Sequence, residues 1–215
     1  MSCYFQGCIS KGTTREHIPP KAFFPDGERH QLLTVRSCPL HNNAKSNNDL
    51  YVLAHICMNA SPSNRAREVW EAKVVPQLAF NGDKFRDMLA AGAKPASEGV
   101  AYPVNKERFD DFFTALSCGL IFKSQNAPLP PDYRIGHIYH AFTTDADPAL
   151  QKLEAAIGAF YSGPPIDSFN FGKPNLENER IYTAEIFGLA GFAGHITIAH
   201  CFFGKFKVTS MLSKF

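Results

Sequence analysis

Apolar positions along the chain keep helical spacing through most of the first two thirds and turn to strand-like runs in the last third. The segment up to Cys38 is polar and turn-rich. From His41 to about Cys57 the spacing predicts a helix with Leu50, Leu53, Ala54 and Cys57 on one face. Arg65 to about Val75 repeats that period with Ala66, Val69, Trp70 and Val74, and Pro76 predicts a kink or an end. A short helix is expected from Asp83 to Ala91. A stronger one runs from Lys106 to Phe122 and buries Phe109, Phe112, Phe113, Leu116, Leu120 and Ile121. Arg134 to Thr143 reads as a strand. Asp147-Pro148 opens a helix that Leu150, Leu153, Ile157 and Phe160 continue. Gly, Pro and Asn predict a loop over roughly Ser162 to Asn178. Three strands follow, Ile181–Phe187, His195–Phe203 and Lys205–Met211, with Gly204 turning the last two into a hairpin. The expected class is α+β: a small leading module over residues 1–57, then a body over 58–215 that is helical to about 122 and ends in an antiparallel sheet.

Composition changes this picture little. A hydrophobic fraction of 45% and a charged fraction of 20% are ordinary for a globular chain of 215 residues, which is long enough to bury a core. The formal charge of +2 favours no partner by itself, so a nucleic-acid surface has to be a local patch. No apolar run approaches the ~18 residues of a membrane span. The chain opens on cysteines rather than on a basic and apolar leader, so a cytoplasmic setting and metal-binding rather than disulfide cysteines are expected. Cys57, Cys118 and Cys201 lie in apolar stretches and are expected to be buried small hydrophobes.

The other three cysteines carry chemistry. Cys3-x4-Cys8 and Cys38-x2-His41 are two closely spaced ligand pairs, separated by enough chain for a hairpin. Four such donors suit a structural zinc. Between the pairs lie Glu16 and His17, and Asn42 follows the second pair. A carboxylate and an amide oxygen beside an imidazole can hold a harder cation, Mg²⁺ or Mn²⁺, and activate water.

These residues resemble the HNH endonuclease family over roughly residues 3–52. Its zinc-bearing members carry a cysteine pair, an acidic-His pair before an apolar residue and proline, and then C-x2-C-[N/H]-x2-K. This chain reads Cys3, Cys8, Glu16-His17-Ile18-Pro19 and Cys38-x2-His41-Asn42-x2-Lys45, with His41 in place of the last cysteine. The resemblance implies a zinc-stabilised ββα-metal, or treble-clef, finger. It implies His17 as general base, and Glu16 and Asn42 as ligands of a catalytic divalent ion. Leu33 stands where the family has its middle Asn, with His30 and Gln31 as the nearby polar substitutes.

Ser46 and Asp49 share a helical face with Asn42 and could orient these groups. Arg15, Lys21, Arg36 and Lys45 crowd the segment and could neutralise phosphates. The spacings His137-x2-His140 and His195-x4-His200 put each pair on opposite faces of a strand, so shared metals are not expected there. The expected activity is hydrolysis of phosphodiester bonds, with DNA as the partner and no membrane. The competing expectation is a catalytically silent zinc finger that binds nucleic acid or protein. Residues 58–215 carry no nameable chemistry, and a protein partner or a second copy would fall to them.

Overall fold

The computed structural model describes residues 2–29, 31–43, 46–60, 63–80, 82–96, 99–140, 163–173 and 180–214, with isolated positions at 152, 155 and 158. Within these the fold is α+β and ends in a five-stranded antiparallel sheet.

Two strands come first. β1 (Thr14–Ile18) pairs antiparallel with β2 (Leu33–Ser37), His17 opposite Thr34 and Ile18 opposite Leu33. Alternation along β1 buries Glu16 and Ile18 and leaves Arg15 and His17 on the outer side. The Ile18–Pro19 bond is cis. Helices α1 (Pro39–Asn43) and α2 (Ser46–Asn59) follow directly. α2 is less amphipathic than its sequence suggests: every residue from Tyr51 to Cys57 is buried, because neighbours enclose the helix on all sides.

Next come α3 (Asn64–Val69), a π-helical turn (Trp70–Val74) and α4 (Val75–Leu78). Ser63 caps α3 by accepting the Ala66 N–H at 3.1 Å. Pro76 lies two residues before the run stops at Leu78. It falls in the first turn of α4, where a missing N–H does little harm, after the π-helical turn has shifted the register. α5 (Lys84–Ala90) is followed by an exposed hairpin, β3 (Lys94–Ala96) with β4 (Gly99–Ala101), which alternation did not reveal.

α6 (Lys106–Gln125) is the central helix. Asn105 caps it through the Arg108 N–H at 3.1 Å, and Asn126 ends it in a left-handed conformation. All six apolar residues expected on its inner side are buried, together with Ala115 and Cys118. β5 (Tyr133–Tyr139), β6 (Asp167–Phe171), β7 (Tyr182–Gly188), β8 (Ile196–Phe202) and β9 (Phe206–Lys214) form the sheet in the order β5-β9-β8-β7-β6. Phe203 and Gly204, both with positive φ, make the tight β8–β9 turn. The loop expected over 162–178 is corrected in part, since β6 occupies residues 167–171 and pairs with β7. Of the helix expected from Asp147 to Phe160, only positions 152, 155 and 158 are described, and they are helical.

α6 packs on β5 and β9 with one side and on α2 and the β1–β2 hairpin with others. One buried cluster accordingly runs from Cys3 and Ile18 through Phe109 and Phe113 to Phe202 and Leu212. Phe23, in a 3-10 turn after β1, sits 5.2 Å from Phe112 and 5.5 Å from Phe202, and so ties the hairpin to both helix and sheet. Among the described residues no helix is long and apolar enough to cross a membrane.

Candidate metal centre and the adjoining cleft

The two ligand pairs meet. Cys3, Cys8, Cys38 and His41 bring one donor atom each to within 4.8 Å of one another. Among the described residues no other cluster of three or more His, Cys, Asp or Glu side chains gathers in this way. Cys3 Sγ lies 3.5 Å from His41 Nδ1, Cys38 Sγ lies 3.2 Å from the same nitrogen, and Cys8 and Cys38 sulfurs are 3.9 Å apart. The four can hold a metal ion.

Local backbone makes this convergence. Residues 3–8 form a turn in which Gly7 has φ +67° and the Cys8 N–H reaches the Phe5 carbonyl at 3.2 Å. The Tyr4 N–H bonds the Arg36 carbonyl at 2.9 Å, which places the turn beside the end of β2. Cys38 leaves β2 and His41 lies one helical turn on, so both face the same point. N–H groups also point at the sulfurs. Those of His41 and Leu40 hold the Cys38 thiol below its ordinary value. The Cys38 N–H points at Cys3 Sγ at 3.4 Å, while burial raises the Cys3 thiol. Phe5 stacks on the His41 ring, centroids 4.2 Å apart and planes 10° apart, and fixes the imidazole's orientation.

A cleft of about 190 Å³ adjoins this centre. Arg15, Glu16 and His17 of β1, Lys21 of the 3-10 turn, Asn42 of α1 and Asp49 of α2 line it. Six of the residues singled out in the sequence therefore share one concavity. Glu16 is only 8% exposed, and the hydroxyl of the fully buried Tyr4 donates a hydrogen bond to its carboxylate. Burial and the Glu16 charge keep that phenol protonated. Tyr4 was missed from sequence; its only signal was adjacency to Cys3. His17 is half-buried, and burial, then Lys21 and Arg29, hold its imidazole below the ordinary value against the opposing pull of Glu16. It is uncharged at neutral pH.

The other expected residues are more dispersed. Arg36 lies on β2 opposite Arg15 and is not part of the cleft lining. Ser46 opens α2, and Lys45 and His30 lie outside the described residues. Leu33, at the middle-Asn position, pairs with Ile18 and packs against the core, and Gln31 is exposed.

The remaining histidines separate by face. His137 Nδ1 meets Ser210 Oγ at 2.8 Å, whereas His140 Nε2 meets Thr209 Oγ1 at 3.0 Å. His195 is exposed and His200 is 1% exposed. Cys57 and Cys118 are buried and Cys201 is partly so. Comparison of the chain with family models, with curated proteins and with solved structures finds no match.

Proposed function

We propose that the chain is a divalent-metal-dependent endonuclease of the HNH type that hydrolyses phosphodiester bonds in DNA. The observation that carries this reading is the cleft itself: Glu16, His17 and Asn42, from a strand and a helix, line one concavity with two cations, Arg15 and Lys21. A silent binding module has no use for that grouping.

The finger beneath it supports the same reading. An antiparallel hairpin, a helix, one donor pair before the hairpin and one at the helix start are the parts that a ββα-metal arrangement needs, and they support this reading. Three thiolates and an imidazole select zinc over hard cations. Thiolates bound at about 2.3 Å on a tetrahedron lie about 3.8 Å apart, close to the Cys8–Cys38 separation of 3.9 Å. Zinc here is structural, because all four positions are filled by protein.

At the cleft the donor set differs in kind. Glu16 and Asn42 offer two oxygens, which suits Mg²⁺ or Mn²⁺ with open positions left for phosphate and water. A bound divalent ion would supply charge against the negative charge that develops on the phosphate and the leaving oxygen. Tyr4 orients the Glu16 carboxylate by its hydrogen bond. Asp49 lines the same cleft and would help to position these groups. His17, uncharged and open to the cleft, accepts a proton from the attacking water at a ring nitrogen. Arg15 and Lys21 hold the scissile phosphate and its neighbour.

The test is nicking of supercoiled plasmid with Mg²⁺ or Mn²⁺, with and without chelator, and a parallel arm with RNA. Wild-type protein is expected to nick only with the cation present. His17→Ala should slow nicking by about 10²–10⁴ while keeping its zinc. Unchanged nicking by His17→Ala would assign the activity elsewhere. Inactive wild type that retains zinc and binds nucleic acid would favour the silent finger.

A further inference from the structure

Away from the cleft, α2, the π-helical turn, α5 and β4 line an open cavity of about 750 Å³. That lies within the ~300–1,000 Å³ of small-molecule sites. Its walls are largely apolar, with Trp70, Leu89 and Tyr102 among them. His55 backs this lining and is 1% exposed, its Nε2 buried and without a hydrogen-bond partner among the described residues. Burial holds this imidazole down to about 4, so the wall that it backs carries no charge there.

Two arginines also lie on the lining, both exposed. Arg86 is bound by Asp83 at 2.7 Å and approached by Asp87 at 3.7 Å. Arg67 makes no ion pair among the described residues. The wall is also built unusually. Trp70, the chain's single tryptophan, begins the π-helical turn. Such turns are rare and recur where a helix presents side chains to a ligand.

We propose that this cavity binds a small organic anion with a flat apolar body, its rings against Trp70, Leu89 and Tyr102 and its acid group on Arg67. The site is separate from the cleft, and the proposal does not depend on nuclease activity.

Trp70 provides the readout, since its emission overlaps the absorption of 8-anilinonaphthalene-1-sulfonate, an aromatic body carrying one sulfonate. The full-length chain, in buffer without denaturant, is titrated with this dye while Trp70 is excited. The expected result is saturable quenching with one site and sensitised dye emission. Arg67→Ala should weaken the dye at least tenfold at an unchanged melting temperature. It should leave the uncharged analogue N-phenyl-1-naphthylamine bound as before. A signal that never saturates, or that saturates identically in wild type and Arg67→Ala, overturns the proposal. So does equal loss of both dyes in a variant that melts normally, because the acid group would then have no specific seat.

Discussion

Gly119 of α6 lies directly against the side chain of Ile18: a Cβ at 119 would come within 2.6 Å of Ile18 Cδ1 and Cγ1. Ile18 is buried and follows His17 in β1, so the central helix sets the height of the strand that carries the proposed base.

Gly119→Ala is therefore expected to destabilise the fold by about 1–3 kcal/mol despite alanine's better helix propensity, because the added methyl overpacks a closed contact. Denaturant midpoints measure this. Ile18→Val removes one of the two clashing atoms, so the double variant should recover part of the loss. Additive effects would mean that the two residues are not coupled.

Purified protein is expected to carry one zinc. Cys8→Ser should release it and lower the melting temperature by roughly 10 °C or more, since a structural zinc supplies much of a finger's folding free energy. Metal analysis with calorimetry checks both. Zinc-free wild type that melts like Cys8→Ser would exclude the centre.

Glu16→Gln keeps an oxygen for the Tyr4 hydroxyl and removes the charge. Zinc content and melting should hardly change, while nicking should need a higher Mn²⁺ concentration and be slower at saturation. A cation dependence identical to wild type would remove Glu16 from the cation site.

Acid should destabilise the fold through its buried imidazoles. Burial pushes His55 and His137 down to about 4 and His200 well below its ordinary value. The unfolded chain binds protons at these sites that the folded chain does not. Stability is thus fully present above the unfolded value near 6.5 and is lost as pH falls from there toward 4. For His55 alone the interval is worth roughly 3 kcal/mol. Melting temperatures measured from pH 7.5 to 4.5 should fall steadily, and less steeply in His55→Phe. A flat profile would contradict the buried neutral imidazoles.

The four-donor cluster was legible because much of its information is local. Each donor pair spans one turn, so spacing brings its two members together, the hairpin brings the pairs together, and β1 alternation places Glu16 and His17. The Tyr4–Glu16 bond was not legible, because it joins residues that only the folded turn brings together. β6 was hidden by its Asp, Ser and Asn, although Phe169 and Phe171 already alternate with polar neighbours in it. The cavity near Trp70 is assembled from several separate elements and leaves no trace in any one segment. His200 joins Tyr182 at 2.7 Å and Ser210 at 2.8 Å, a network that strand periodicity could not anticipate.

Sheet order sets a timetable for synthesis. Among the described residues β5 pairs only with β9, Tyr133 opposite Lys214, so the strand directly after α6 waits for a partner until the ribosome has made β9. The leading hairpin and its metal site use residues 3–41 and can close long before that. Through that interval α6 holds Phe109 and Phe113 without the sheet that later covers them. The nascent chain thus carries a finished hairpin on an unfinished core, which is the stage at which a chaperone would find most to bind.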